Sequence, residues 1–223
     1  MIKIAIDGPS GSGKSTLAKA LAKKLGFIYV DTGALYRSIG LYMLKSGADI
    51  SSKDDVIKRL PEIKLNMFHD EGGSQHVTLN GQDVGDSIRT SEVSIAASTV
   101  SAIPEVRAFL LDTQRNMAKQ HDVIMDGRDI GTVIFPDADV KIFLTAGNEA
   151  RAKRRHAELI EKGENITYEQ VLADLEKRDV NDRTRKEAPA IPALDAIMLD
   201  NSAYLPEQTL EAAYAIIKNK LNG

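Results

Sequence analysis

Residues 8–15 read Gly-Pro-Ser-Gly-Ser-Gly-Lys-Ser, and they constrain this chain more than any other segment. They fit the pattern G-x-x-x-x-G-K-[ST], between an apolar run at residues 2–7 and an amphipathic helical pattern at residues 14–25. Glycines let the backbone wrap a phosphate with its N–H groups, and the N-terminus of the following helix adds favourable partial charge. The segment therefore predicts a cradle for a nucleoside triphosphate at the end of a β-strand.

Two side chains of this cradle have specific expected roles. Lys14 is expected to reach the β- and γ-phosphates, and the Ser15 hydroxyl is expected to take one position on Mg²⁺. The predicted cradle residues are Gly8, Pro9, Ser10, Gly11, Ser12, Gly13, Lys14, Ser15 and Thr16. No guanine-reading Asn-Lys-x-Asp motif follows a strand-like run, which argues against a GTPase.

Five short apolar runs predict a parallel sheet. They occupy residues 2–7, 27–31, 123–126, 140–146 and 196–200, and they do not alternate apolar with polar residues. Strands that are covered on both faces have this pattern, and parallel neighbours need a crossover connection such as a helix. Because helical patterns stand between the runs, we predict an α/β fold with a five-stranded parallel sheet flanked by helices.

Two segments depart from this alternation. Between residues 63 and 84, short extended runs surround Asn80-Gly81, the strongest local hairpin signal, which predicts a small antiparallel insertion. The basic segment 151–163 after the fourth apolar run predicts a short helical lid. No linker separates independent domains, so one domain is predicted. Its core is expected at about 1–36, 103–150 and 166–223, its insertion at about 37–102 and its lid at about 151–165.

Composition excludes several classes of function. The 223 residues include no cysteine, so disulfides, thiolate metal sites and cysteine nucleophiles are impossible. A net charge of −3 argues against a broad basic face for nucleic acid. No run approaches the roughly 18–20 apolar residues of a membrane span, and no segment resembles a signal peptide. We therefore expect a soluble, cytoplasmic protein that binds neither nucleic acid nor membrane.

Charged residues close the third apolar run, at the edge where open parallel sheets bind ligands. Asp126 is placed to hold Mg²⁺ through water. Arg128 and Asp129 are expected to point towards a phosphate acceptor. The alternative is a simple turn with Gly127 at positive φ.

Further candidates for phosphate binding follow the second and fourth apolar runs. Thr32 is expected to cap a helix, and Arg37, one turn into that helix, is placed to bind an acceptor phosphate. The basic helix at residues 151–155 is either a solvated face, with Glu158 paired to Arg154, or a lid. As a lid it would bring positive charge over a triphosphate and exclude water.

A helix that begins near Thr167 is predicted to carry an apolar stripe that becomes charged. The stripe leads from Val171 to Arg178, Asp182 and Arg185. Alternating charges are usually solvated ion pairs, but continuity with a buried stripe favours a binding site. A kinase with an anionic acceptor needs several guanidinium groups around one point, because arginine binds phosphate oxygens bidentately.

With these residues in view, the chain resembles the bacterial cytidylate kinases of the nucleoside monophosphate kinase group, from end to end. The resemblance rests on IDGPSGSGKST, DTGALYR, IRTSEV followed by AAS, DGRDIGTVIFPDA, KIFLTA, and RDVNDRTR followed by Ala188-Pro189. It implies the P-loop nucleoside monophosphate kinase fold. It also implies that ATP phosphorylates CMP or dCMP, giving ADP and CDP or dCDP with Mg²⁺, in pyrimidine nucleotide metabolism.

The resemblance also implies roles for individual residues. The cytosine readers would be Ser98, Arg107 and Asp129; the clamp on the acceptor phosphate Arg37, Arg128 and Arg185; the sugar contacts Arg178 and Asp182; and the lid arginines Arg154, with Arg151 and Arg155 beside it. Thr32 takes a position in the CMP site that serine often holds in this family, and either hydroxyl can serve. The catalytic residues would be Lys14, Arg128, Arg154 and Arg185, and the metal ligands Ser15 and Asp126.

The chemistry of cytosine agrees with these roles. Its N4 amino group is a donor for Asp129, and its O2 and N3 atoms accept from Arg107 and Ser98. UMP reverses the polarity at ring positions 3 and 4, which would leave buried groups unpaired at about 1–3 kcal/mol each. A phosphate acceptor is already an oxyanion, so no general base is needed. The histidines, expected to be surface or structural, are His69, His76, His121 and His156.

Two other hypotheses stay open. The chain is also compatible with a regulatory protein whose slow ATP hydrolysis switches a partner surface, with the antiparallel insertion as that surface. A kinase for a small non-nucleotide acceptor is the other, although it would not need Arg37, Arg128 and Arg185 together. A monomer is expected, because nothing in the sequence marks a self-complementary patch.

Overall fold

The structure is a computed structural model that describes residues 1–70, 74–119 and 121–222. The strands are β1 (Lys3–Asp7), β2 (Ile28–Asp31), β3 (Leu65–His69), β4 (Gln75–Leu79), β5 (Gln82–Asp83), β6 (Val123–Gly127), β7 (Val140–Thr145) and β8 (Ile197–Asp200). The helices are α1 (Lys14–Leu25), α2 (Thr32–Lys45), α3 (Lys53–Arg59), α4 (Ser91–Val100), α5 (Pro104–Asn116), α6 (Asn148–Glu161), α7 (Tyr168–Thr184) and α8 (Pro206–Asn222). A π-helical turn, Ile130–Ile134, follows β6.

Five of these strands form one parallel sheet in the order β2-β6-β1-β7-β8. Val123, Ile124 and Met125 of β6 have no exposed surface, as expected for a strand covered on both faces. The predicted five-stranded parallel sheet is therefore confirmed, with β2 and β8 at its edges. The carboxyl ends of all five strands lie together, and ligands bind at that end of such sheets.

Helices cover both faces of this sheet. On one face, Leu17 and Leu21 of α1 and Ile217 of α8 pack against β1 and β7. On the other face, Leu35 of α2 and Leu110 of α5 pack against β2 and β6. The predicted helix over residues 14–25 has those bounds in the structure.

The predicted antiparallel insertion is present as the sheet β3-β4-β5. Asn80 and Gly81 join β4 to β5 with φ angles of 50° and 85°, and a type I′ turn requires both angles to be positive. Val77 and Leu79 of β4 belong to the same apolar cluster as α2. Residues 71–73 of the predicted insertion lie outside the described residues.

Helices α6 and α7 pack against each other after β7. Thr167 caps α7: its side chain accepts from Gln170 N, and the Gln170 side chain accepts from Thr167 N. The stripe predicted for this helix is confirmed as far as Asp182, since Val171 and Leu175 are buried and the buried Asp182 follows them. Arg185 lies just beyond the end of α7, which stops at Thr184. Asp182, near the charged end of α7, therefore lies inside the protein.

In the part of the chain that the structure describes, no single helix is long and apolar enough to cross a bilayer. Helices α4 and α5 meet the criteria of length and composition only as a pair, with a bend of 102° between them. Both helices bury apolar side chains, including Val100 and Leu110, in the cluster around α2.

Candidate active site

The loop between β1 and α1 forms a cradle that requires glycine at two positions. Gly8 has a φ of 154°, and a Cβ atom on it would lie 2.0 Å from the Leu144 carbonyl oxygen. Gly13 has a φ of 86° and directly precedes α1. Glycine adopts such angles without steric cost. The free N–H groups at the start of α1 open onto this loop and favour an anion there.

Lys14 is a buried cation in this cradle. Its side chain is almost fully enclosed, and Nζ donates to the Pro9 carbonyl oxygen at 3.1 Å. Burial and the neighbouring Arg128 lower the pKa of Lys14 to about 7. An anion in the cradle would counter both effects, because a nearby negative charge favours the protonated amine.

Ser15 and Asp126 form a pair of hard oxygen ligands beside Lys14. Ser15 Oγ donates to Asp126 Oδ2 at 2.7 Å, and the Tyr29 hydroxyl donates to Oδ1 at 2.8 Å. Burial and the charge of Asp31 raise the pKa of Asp126. Within the described ranges, no group of three or more His, Cys, Asp or Glu side chains could hold a metal. The pair fits Mg²⁺, which takes one or two protein ligands beside waters and substrate phosphates.

The end of β2 differs from the prediction. Asp31, rather than Thr32, caps α2, because β2 ends at Asp31 and its Oδ1 accepts from Ala34 N at 3.0 Å. Asp31 Oδ2 accepts from Arg37 Nη2 at 2.7 Å. Thr32 Oγ1 instead donates to the Asp126 carbonyl oxygen at 2.9 Å. The cap prediction for Thr32 was therefore wrong, although its hydroxyl contacts the backbone of Asp126.

Three arginines meet two buried aspartates on the other side of the site. Arg128 Nε donates to Asp182 Oδ2 at 2.9 Å, and Arg185 Nη1 lies 3.7 Å from Asp182 Oδ1. Arg107 Nη2 donates to Asp129 Oδ2, and Arg185 Nη2 lies 3.8 Å from Asp129 Oδ1. Burial alone would raise the pKa of Asp182, but Arg128 and Arg185 hold it below its ordinary value. Asp182 is therefore an ionised counter-charge shared by two guanidinium groups.

Arg178 adds a cation that the protein only partly compensates. Its Nε is buried and has no hydrogen-bond partner among the described residues. Burial and the charge of Arg128 lower the pKa of Arg178 to about 10. A buried guanidinium donor in this position fits an anionic or hydroxyl-bearing ligand.

One cleft of about 760 Å³ collects these groups, a size within the range of small-molecule sites. Its basic lining residues include Lys14, Arg37, Arg107, Arg128, Arg154, Arg178 and Arg185. Other predicted residues in its lining are Ser10, Gly11, Gly13, Ser15, Thr16, Thr32, Ser98, Asp126, Asp129 and Asp182. Gly8, Pro9 and Ser12 of the predicted set are not in the lining. Residues far apart in the sequence thus surround a single space beside the cradle.

The family follows from comparison with known proteins. A family model described as cytidylate kinase matches residues 4–219. The chain belongs to the cytidylate kinase family. A cytidylate kinase from Caldicellulosiruptor saccharolyticus is 49% identical over 99% of each chain, and one from Flavobacterium johnsoniae is 45% identical over 98% of this chain and 96% of that one. A solved gluconokinase from Sinorhizobium meliloti 1021 shares the fold, with TM-score 0.50 and 15% identity over 99% of this chain and 94% of that one.

Membership of the cytidylate kinase family confirms the resemblance found in the sequence. The chain is therefore an enzyme of the nucleoside monophosphate kinase group, and the hypothesis of a regulatory switch is set aside. Kinases transfer a phosphoryl group and usually need a divalent metal ion for it.

Two of the three arginines of α6, Arg154 and Arg155, line the cleft, and Arg151 does not. Arg154 lines the cleft and donates to the Asn201 carbonyl oxygen at 2.8 Å and to Asn201 Oδ1 at 3.1 Å. Arg155 pairs with Glu158 at 2.8 Å. The Arg154–Glu158 pair of the solvated alternative is therefore not formed, because Asn201 accepts from the Arg154 guanidinium. Arg151 is 2% exposed and is not among the residues lining the cleft.

Arg151 instead binds the backbone of the cradle from outside the cleft. Its Nη1 donates to the Ser10 carbonyl oxygen at 2.8 Å, and its Nε donates to the Ala146 carbonyl oxygen at 3.0 Å. Nη1 also lies 2.7 Å from Asp179 Oδ2 on α7. Arg151 thus joins the cradle, the end of β7 and α7, a role that its basic sequence context did not indicate.

Replacing Arg151 with alanine is expected to lower the free energy of unfolding by about 3 kcal/mol. The reason is that the change leaves Asp179 without its cation and two backbone carbonyls without donors. Urea unfolding measures this loss. Lys153→Ala, at an exposed position on the same helix, is the matched control. Equal, small losses in both variants would contradict the assigned role.

Several residues in and around the site were not predicted from the sequence, namely Asp7, Tyr29, Asp31 and Asn201. Asp7 accepts from Ile130 N and Gly131 N, both at 2.8 Å, and so holds the turn after β6; burial raises its pKa to about 7. Asn201 Nδ2 donates to the Ser12 carbonyl oxygen at 3.0 Å. Three of the missed residues end or follow a parallel strand, so the rule that ligands bind at the carboxyl ends could have found them.

Proposed function

We propose that the chain transfers the γ-phosphate of ATP to CMP or dCMP, giving ADP and CDP or dCDP. The observation that carries this proposal is the convergence of arginines from separate elements on the cleft that contains Lys14. Transfer between two nucleotides gathers many negative charges at one point, and the protein contributes mainly positioning and charge stabilisation. Membership of the cytidylate kinase family supports the same reaction.

ATP is proposed to bind with its phosphates in the cradle. The backbone N–H groups and the N-terminus of α1 would hold the β- and γ-phosphates, and Lys14 would balance their charge. The proposed ATP-binding residues are Gly8, Pro9, Ser10, Gly11, Ser12, Gly13, Lys14, Ser15, Thr16 and Arg154. The position of Arg154 in the cleft lining, next to Asn201, supports its role over the transferred group.

Ser15 and Asp126 are proposed to hold Mg²⁺, Asp126 through water. When bound, the ion would neutralise charge on the phosphates during transfer. The protein supplies the hydroxyl and carboxylate, and the Tyr29 hydroxyl orients the carboxylate by its hydrogen bond of 2.8 Å.

Arg37, Arg128 and Arg185 are proposed to clamp the acceptor phosphate. Each of them contacts an aspartate: Arg37 contacts Asp31, while Arg128 and Arg185 contact Asp182. A guanidinium group has five N–H donors, so these contacts leave donors free for phosphate oxygens. The aspartates keep the arginines oriented towards the cleft and reduce the repulsion between them.

The base and sugar of the acceptor are proposed to bind along α4, α5 and α7. Arg107 and Asp129 form a buried pair, and Ser98 Oγ lies 3.5 Å from Asp182 Oδ1, which supports a common polar pocket. Asp129 would accept from the cytosine N4 amino group, and Arg107 and Ser98 would donate to O2 and N3. Arg178 and Asp182 would contact the sugar.

No histidine is needed for this transfer. The acceptor phosphate is an oxyanion at neutral pH, so a general base has no proton to remove. His69 and His156 donate to backbone carbonyls, His76 contacts two carboxylates, and His121 is exposed. Catalysis is therefore assigned to Lys14, Arg128, Arg154 and Arg185.

The surrounding segments are proposed to exclude water from the reacting phosphates. The insertion at about 37–102 would close over the acceptor, and the lid at about 151–165 would close over ATP. Core segments at about 1–36, 103–150 and 166–223 would carry both. We also propose that the enzyme acts as a monomer in the cytoplasm.

A panel of nucleoside monophosphates tests the function. With ATP and Mg²⁺, we expect coupled ADP release to be fast with CMP and dCMP, and at least tenfold lower in kcat/KM with UMP, AMP and GMP, because each unpaired buried group costs about 1–3 kcal/mol. ADP release without an acceptor, or without Mg²⁺, is expected to be near background. Equal or better turnover with UMP or AMP would overturn the assignment of the base-reading residues.

A further inference from the structure

The outer edge of β2 is covered by side chains of the insertion rather than by another strand. β2 is an edge strand of the parallel sheet. An edge strand presents backbone N–H and C=O groups that no neighbouring strand satisfies. In this chain, His69 of β3 and Gln75 of β4 lie opposite each other in the antiparallel sheet, and both reach the backbone of β2.

The contacts reproduce part of a strand pairing. The Gln75 side-chain oxygen accepts from Asp31 N at 2.7 Å, and its Nε2 donates to the Asp31 carbonyl oxygen at 3.3 Å. His69 Nε2 donates to the Tyr29 carbonyl oxygen at 2.7 Å. A single carboxamide thus satisfies both backbone groups of Asp31, as a residue of a neighbouring strand would.

Asp31 connects this contact to the proposed phosphate clamp. Its Oδ1 caps α2 through Ala34 N, and its Oδ2 holds Arg37 Nη2 at 2.7 Å. Burial alone would raise the pKa of Asp31, but the charge and hydrogen bond of Arg37 lower it, so the carboxylate stays ionised. The position of the Asp31 backbone fixes the position of this carboxylate, and the carboxylate in turn fixes the position of the Arg37 guanidinium.

We propose that Gln75 is a positioning residue for the acceptor phosphate, acting through Asp31 on Arg37. Gln75 does not line the cleft, whereas Asp31 and Arg37 do. The inference rests on the proposed function, since it requires Arg37 to bind the phosphate of CMP. In this proposal the antiparallel insertion does more than cover the acceptor, because its sheet also sets the position of Arg37 in the phosphate clamp.

Gln75→Met tests this proposal, because methionine keeps the length of the side chain and removes both hydrogen bonds. We expect KM for CMP to rise about tenfold, while KM for ATP stays within about twofold, since the cradle is not contacted. Gln82→Met, at an exposed position of β5 in the same sheet, is the matched control and should leave both KM values unchanged. If Gln75→Met folds poorly, Gln75→Asn replaces it in the test, because its side chain is too short to reach Asp31. The same rise in KM for CMP is expected for Gln75→Asn.

A double-mutant cycle separates positioning from a general structural role. In an Arg37→Ala background, Gln75→Met is expected to change KM for CMP by less than about twofold, because the group on which Gln75 acts is gone. Additive effects in the cycle, or equal rises in KM for ATP and CMP, would overturn the inference while leaving the function intact. A wild-type enzyme that fails to phosphorylate CMP in the same assay would overturn both.

Discussion

Replacing Lys14 with methionine is expected to lower kcat for the phosphorylation of CMP by about 10³-fold, the upper range for removing one preorganised charge-stabilising donor. Lys14 is enclosed in the cradle, and burial together with Arg128 lowers its pKa to about 7. The surrounding residues therefore compensate its charge poorly, which makes the ammonium available to phosphate oxygens. Methionine has a similar length, fills the same space and carries no charge. Coupled ADP release measures the loss.

Lys23→Met is the matched control for this prediction. Lys23 lies on the same helix, α1, and its side chain is exposed. Its replacement is expected to leave kcat unchanged, because exposed charges far from the reacting phosphates are screened by solvent. A Lys14→Met enzyme whose kcat stays within about tenfold of the wild type would contradict the role of Lys14 in charge stabilisation.

The second large effect is expected for Asp129→Ala. The preference for CMP over UMP, measured as the ratio of their kcat/KM values, should fall by about 10- to 100-fold, because the acceptor for the cytosine N4 group is lost. The change also leaves Arg107 buried without its carboxylate. We therefore expect the free energy of unfolding to fall by about 3–5 kcal/mol.

The two effects of Asp129→Ala are separated by measuring base preference and stability on the same preparations. Asp137→Ala, at a largely exposed carboxylate in the next loop, is the control and should change neither quantity. Asp129→Asn keeps the size of the side chain and removes its charge, so it should also lose preference for CMP. An unchanged CMP to UMP ratio in both Asp129 variants would refute the proposed contact with cytosine.

Much of the fold was predictable because local patterns specify it. The pattern G-x-x-x-x-G-K-[ST] depends on glycine conformations and a helix N-terminus, which are properties of a short segment. The five apolar runs predicted five strands, and the rule for parallel neighbours predicted the helices between them. Asn80-Gly81 predicted its own turn, because few other residue pairs adopt two positive φ angles.

Other parts of the site were not predictable, because they depend on which side chain wins a partner in three dimensions. Thr32 and Asp31 are both good capping residues. Asp31 is the cap because β2 ends at Asp31 and α2 begins at Thr32. Arg154 and Arg155 are both within reach of Glu158 along α6. Arg155 pairs with Glu158, whereas Arg154 donates to Asn201, which follows a distant strand. Spacing along one helix contains no information about a partner 47 residues away.

The local sequence determined the cradle, the parallel sheet and the hairpin, since short-range backbone preferences and burial patterns encode these features. It also determined which arginines stand at strand ends and on helices. Tertiary structure alone decided that the arginines face one cleft, that Arg151 supports the cradle instead of entering the cleft, and that Gln75 reaches β2. The physical reason is that charges and hydrogen-bond donors act over a few ångströms of space. Their partners are therefore known only once the chain has brought distant segments together.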